Sequence, residues 1–155
     1  MNWDAFGAIA ELGGAIAVVA TIVYLSFQIR QTNQISVSKT TTDILNKFDE
    51  FNRMIVSDRS LRVVLTKSET LSEEESEQVY TFANICINTW MAVQTAHDNN
   101  QLDDNMYNAM IRDVRFAMER WPNIRPAIAK HFSVYPEAGK MRIFDAYHRS
   151  ESGDD

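Results

Sequence analysis

Hydrophobic positions are distributed unevenly along this chain. Residues 12 to 27, LGGAIAVVATIVYLSF, carry no charge and no amide side chain, and everything after them is polar on balance. Extended to Ala5 on one side and Ile29 on the other, the segment runs 25 residues with a single charge, Glu11. As an α-helix it rises about 1.5 Å per residue, roughly 37 Å in all, which crosses a bilayer with some tilt. Eleven Ile, Leu, Val and Phe each favour insertion by about 0.3 to 0.6 kcal/mol, so the balance against Glu11 is favourable but modest. A secretory signal fits poorly, because residues 1 to 11 hold Asp4 and Glu11 but no Lys or Arg, and such signals begin with a basic stretch. A core helix apolar on every side would be unusual in so small a domain, and a helix lying on the membrane surface would need a basic face that 5 to 29 lack. The pattern predicts a transmembrane helix over 1–30.

After Ile29 the apolar period becomes helical, with no strand-like alternation. Gln31 to Thr42, rich in Thr and Ser, either extends the first helix or loosens it. Ile44, Phe48, Phe51 and Ile55 then form one apolar stripe. Asp58 is placed to cap a short helix from about Arg59 to Lys67, with Leu61, Val64 and Leu65 on one side. Ser72 and Glu75 have the spacing of a capping box, and Glu73, Glu74 and Glu75 suit the positive end of the next helix. That helix, Glu73 to about Asp98, carries two stripes: Val79, Phe82, Cys86, Trp90, Val93 and His97, then Tyr80, Ile87 and Met91. Two stripes predict neighbours on two sides and a central place in a bundle. Asn99-Asn100-Gln101 interrupts it. Asp103 caps a helix to about Trp121 with Met106, Met110, Val114, Ala117 and Trp121 inside, and Pro122 and Pro126 limit its continuation. Ile124 to Phe132 and Glu137 to His148 read as two shorter helices. The expected organisation is all-α: an N-terminal transmembrane helix over 1–30, a small cytoplasmic helical domain over 31–150, and a frayed acidic tail over 151–155.

Plotted at 100° per residue, the apolar segment has two faces. Ile9, Leu12, Ile16, Val19, Ile22 and Val23 suit lipid. The opposite face carries Gly7, Ala10, Gly13, Gly14, Ala17, Ala20 and Thr21, including Gly13-x-x-x-Ala17-x-x-x-Thr21 and Ala10-x-x-x-Gly14. Small residues four apart let helix backbones approach closely, so this face is expected to associate with another helix. Glu11 lies at its edge, near Gly7, Gly14 and Val18. A carboxylate within a span is a functional candidate by default; its early position favours an interfacial or inter-helix hydrogen-bonding group over an ion-handling one. Arg30, Lys39 and Lys47 all follow the span and no basic residue precedes it, so the C-terminal part is expected in the cytoplasm. Trp3 is the better interfacial anchor, Tyr24 lying several residues inside the basic boundary.

The run Trp3-Asp4-Ala5-Phe6-Gly7-Ala8-Ile9-Ala10-Glu11, with Gly14-Ala15-Ile16-Ala17-Val18-Val19, Tyr24-Leu25 and Gln28-Ile29-Arg30-Gln31, resembles an uncharacterised family of small bacterial single-pass membrane proteins. Its members open on a WDAIGAIAEIVGAIAVV-like helix, leave it through a YLAxQIRQ-like stretch and continue as helices. The likeness is close over residues 3 to 34 and weaker onward to Phe132-Ser133-Val134-Tyr135-Pro136. Gly13 and Gly14 depart from it, standing where bulkier residues are common. The resemblance implies an inner-membrane location and a helical fold, and no activity or catalytic residue.

Composition and charge narrow the chemistry. The chain is 155 residues, 45% hydrophobic and 23% charged, which suits one ordinary domain or a small domain plus an anchor. Its net charge of −6 argues against broad nucleic-acid binding. One cysteine, Cys86, excludes an intramolecular disulfide and any multi-cysteine metal site, and its place between Phe82 and Trp90 predicts an inert buried thiol. No phosphate loop, H-E-x-x-H or nucleophile elbow is present. Asp145-x-x-His148 is the nearest approach to a carboxylate–histidine metal pair, and it stands alone. His97 and His131 adjoin apolar stripes, where packing is expected rather than catalysis. Met106, Met110 and Met118 read as gap-filling core residues. Arg112, Arg115, Arg120, Arg125, Lys130, Lys140, Arg142 and Arg149 are expected mainly on solvated faces, with anionic lipid or nearby acids as the alternatives. The sequence therefore predicts a non-enzymatic membrane-anchored protein without cofactor or metal. Its expected partners are membrane lipid and either further copies of itself or a larger membrane complex, in which it serves as a scaffold or accessory subunit. The alternatives are a homo-oligomeric ion or proton pore with Glu11 near its lining, and a membrane-tethered sensory module.

Overall fold

A computed structural model describes residues 3–152, and every regular element among them is helical. In chain order these are α1 (Trp3–Ser57), α2 (Arg59–Thr66), α3 (Glu73–Asp98), α4 (Asp104–Arg120), α5 (Ile124–Val134), α6 (Pro136–Gly139), a 3-10 turn (Arg142–Phe144) and α7 (Asp145–Ser152). The fold is all-α, with one helix long and apolar enough to cross a membrane at the N-terminal end.

The polar stretch Gln31–Thr42 extends the first helix. No Gly or Pro lies between Ala15 and Ser57, and adding residues to a formed helix costs far less than nucleating a new one, so the Thr and Ser residues are carried through. The chain divides into two compact units within α1, between Ser38 and Lys39. In the first unit, the side chains from Glu11 to Ile35 are exposed.

The second unit is a bundle around α3. Its start is the expected capping box: Ser72 Oγ accepts from the Glu75 N–H at 3.2 Å, and Glu75 Oε2 accepts from the Ser72 N–H at 2.8 Å. Lys67 Nζ lies 2.8 Å from both Glu75 oxygens, tying the end of α2 to the start of α3. Its ammonium and the Ser72 N–H hold the Glu75 carboxyl below the usual carboxylate range. At the far end, Gln101 N–H donates to Ala96 O and Asn100 N–H to His97 O. Asn100 takes the left-handed conformation (φ 56°) that this cap requires. Asn is a residue that tolerates it.

Both predicted stripes of α3 are used. Val79, Phe82, Cys86, Trp90, Val93 and Ile87 are buried, and Tyr80 and Met91 pack against the core from its margin. Ile44 and Phe51 of α1 belong to the same core, with the Phe51 ring 6.4 Å from Phe82 and Phe82 5.7 Å from Trp121, both edge-on. On α4, Met110, Val114 and Ala117 are buried as expected and Met106 and Trp121 partly so; Tyr107 and Met118 complete that face. Asn123 joins α2 to the start of α5, its Nδ2 donating to Val64 O at 2.7 Å and Lys67 O at 2.9 Å, so two carbonyls at the end of α2 are satisfied from a distant part of the chain.

One expected helix is not continuous. Glu137 to His148 is divided into α6, the 3-10 turn and α7. The division follows from packing: a Cβ at Gly139 would stand 3.1 Å from Phe132 Cγ, and His148 Nε2–H donates to Gly139 O at 2.8 Å. The chain turns there so that Ile143, Phe144 and Tyr147 all enter the core. The expected tail begins inside α7, which includes Glu151 and Ser152; its remaining residues, 153–155, lie outside the described residues.

Candidate functional site

The candidate site read from the sequence is the small-residue face of the first unit. Gly7, Ala10, Glu11, Gly13, Gly14, Ala17 and Thr21 all lie on the continuous helix α1; the side chain of Ala10 is outside the description. A methyl group added at Gly7, Gly13 or Gly14 would meet no other atom within 4 Å. Glu11, Ala17 and Thr21 are exposed. The lipid-type side chains are just as open, with Leu12 63% and Phe27 67% exposed.

Several polar side chains in this stretch bond within the helix. Thr21 Oγ1 donates to Ala17 O at 2.8 Å and Ser26 Oγ to Ile22 O at 2.9 Å. Gln28 Nε2 donates to Tyr24 Oη at 2.7 Å. A hydroxyl bonded to the carbonyl one turn back needs no water, the condition that an apolar surrounding imposes.

The other chemistry-bearing side chains are spent on packing. Cys86 is buried, and burial first, the Asp113 carboxylate second, push its thiol far above its ordinary range. Asp113 is itself raised by burial, opposed by the Trp90 indole N–H that donates to it at 3.4 Å. His131 Nδ1 lies 2.8 Å from Asn84 Oδ1, and burial lowers its pKa from 6.5. The His97 ring stacks on Tyr107 at 4.0 Å, with Nε2 2.9 Å from Asp104 and Nδ1 buried without a hydrogen bond. His148 spends its Nε2 on Gly139 O. Among the described residues no group of three or more His, Cys, Asp or Glu could hold a metal ion.

Gln94, one of the few buried polar side chains, was not singled out by the sequence. Its Oε1 accepts from Tyr107 Oη and from the Ile143 N–H, and its Nε2 donates to Asp98 Oδ1 at 2.8 Å. An amide inside an otherwise apolar stripe was the available signal.

The basic residues of the C-terminal half separate into different settings. Lys130 stands over the Tyr80 ring at 4.3 Å, Arg142 faces the Tyr107 ring at 5.7 Å, Lys140 pairs with Glu137, and Arg125 Nε donates to Met118 O. Arg120 instead meets Arg59 and Arg62 around a groove of about 510 Å³ floored by Ile55, Val63, Phe116 and Trp121. A second groove, of about 410 Å³, joins Asp58, Glu74 and Glu77 to the apolar side chains of Met54, Leu61, Phe82 and Ile85. Periodicity hides both, because each is assembled from three helices. No family model, curated protein or solved structure matches the chain.

Proposed function

We propose that this protein is a single-pass protein of the bacterial inner membrane, N-terminus outside and bundle in the cytoplasm, acting without catalysis as a self-assembling or docking scaffold in a membrane complex. The observation that carries this reading is the openness of the most apolar stretch of the chain, whose side chains from Leu12 to Ile29 are at least half exposed wherever they are large and hydrophobic. A mostly apolar surface of that length is a liability in water and an asset in lipid. The hydroxyls of Thr21 and Ser26, turned back on the helix, accord with it. So does the placement of Arg30, Lys39 and Lys47 after the span and of no basic residue before it. The resemblance of residues 3 to 34 to small bacterial membrane proteins points the same way.

Association is assigned to the face bearing Gly7, Gly13, Gly14 and Ala17, where bare backbone lets a second helix approach. Glu11, early in the span, serves as a polar clasp near the headgroups. The test combines fractionation with mass in mild detergent. The full chain should partition with inner membranes, and a reporter fused after Asp155 should behave as cytoplasmic. Gly14→Leu should lower the oligomer mass, an overpacked contact costing on the order of 1–3 kcal/mol. Glu11→Gln should leave both mass and ion flux across reconstituted vesicles unchanged. Recovery as a detergent-free soluble monomer would end the anchor reading, and wild-type conductance lost in Glu11→Gln would replace the scaffold with a pore.

A further inference from the structure

Two grooves of the bundle carry opposite charge on similar apolar floors, and both are lined in part by the corner where α1 passes into α2. Neighbouring residues divide between them, Met54 lining the acidic groove and Ile55 the basic one. In the basic groove, Arg59, Arg62 and Arg120 form no ion pair among the described residues. Phe116 and Val63 beside them are 57% and 54% exposed. In the acidic groove, Asp58 is engaged in capping α2 through the Leu61 N–H. Glu74 and Glu77 are exposed and without ion pairs there.

We infer that the basic groove receives the acidic groove of a second copy of this chain, so that bundles join head to tail. Arginine and exposed aromatics beside aliphatic side chains are the composition of an interface centre, and guanidinium groups pair with carboxylates in a two-pronged geometry. The occupant must bring carboxylates on an apolar support. The chain itself displays such a surface at comparable size, whereas its net charge of −6 opposes a nucleic-acid occupant. A contact between two different surfaces is heterologous and generates a ring when the rotation closes. The inference rests on the self-assembly reading above and extends it to the bundle, independently of the small-residue face. If the copies share a membrane in one orientation, the rotation axis lies along the membrane normal.

The test uses full-length chains in neutral phosphatidylcholine liposomes, mixing one chain carrying Val63→Cys with another carrying Thr81→Cys. These positions mark the basic and acidic grooves, and the native Cys86 is buried. A short bismaleimide should join the two chains. Arg62→Glu with Arg120→Glu on the first chain should lower the yield about tenfold or more, as should Glu74→Arg with Glu77→Arg on the second. Placing both exchanges together, one on each chain, should restore the cross-link, which loss of folding cannot do. All four exchanged residues are exposed. A yield indifferent to the exchanges, a loss that the paired exchange does not restore, or dominant Val63–Val63 products would overturn the contact. Sensitivity to the Arg exchange alone would show that the basic groove meets a surface other than the one bearing Glu74 and Glu77, and a requirement for phosphatidylglycerol would assign it to anionic lipid; either result overturns the acidic groove of a second copy as occupant. If Gly14-dependent mass persists without this cross-link, only the bundle contact fails. If the chain proves soluble but cross-links in buffer, only the anchor fails.

Discussion

Gln94 and His131 are both buried, and each meets a polar partner, but the consequences differ because only one of them titrates. Gln94 Oε1 serves a phenol of α4 and the Ile143 N–H of the 3-10 turn at once, so it fixes three segments by satisfying groups that would otherwise cost about 1–3 kcal/mol each. His131 is kept neutral, its pKa lowered by burial. The unfolded chain therefore binds a proton near the ordinary imidazole value of 6.5, while the folded chain resists it until a lower pH. Between those two values the unfolded state holds more protons, and stability rises with pH. The stability of the full chain in detergent, followed by urea unfolding, should decline as pH falls from 7 through 6.5 toward the lowered value. His131→Gln should remove that component of the slope; identical slopes for both proteins would show that the ring is not held neutral.

At the scale of elements, caps and stripes were legible and the break after α6 was not. Asp58, the Ser72–Glu75 box and Asp103 each cap the helix expected of them, Asp103 accepting from the Asn105 and Met106 N–H groups. These are local devices, readable within four residues. Gly139 is different, since nothing near it in sequence says that Phe132 lies against its backbone. Gly139→Ala sets two effects in opposition: alanine gains about 1 kcal/mol of helix propensity, and its Cβ meets Phe132 Cγ and Cδ2 at 3.1 and 3.2 Å. Phe132 has little freedom to yield, with Phe144 at 5.0 Å and Tyr147 at 5.5 Å from its ring. Overpacking of that kind costs about 1–3 kcal/mol, so the variant should be less stable by up to about 2 kcal/mol in thermal unfolding. An unchanged or higher melting temperature would mean that the ring moves aside freely.

For the whole molecule, the division within α1 separates a stretch with no buried side chain among the described residues from a bundle with its own core, residues 39–155. Deleting residues 1–29 should release a helical protein that stays soluble without detergent and melts cooperatively, as circular dichroism and gel filtration would register; aggregation or loss of helicity would show that the bundle depends on the removed segment. The sequence by itself determined the all-α class, the apolar N-terminal helix and nearly every helix of the bundle. Those properties reside in apolar period, capping residues and the absence of Gly or Pro from Ala15 to Ser57, all of which act between residues a few positions apart. Only the tertiary structure decided that Gln94 would bind Tyr107 and Ile143, that Asn123 would close the end of α2, and that Arg59 and Arg62 would meet Arg120 across a groove. Each of these joins residues from different helices, and helical periodicity states which face is apolar without stating which neighbour it meets.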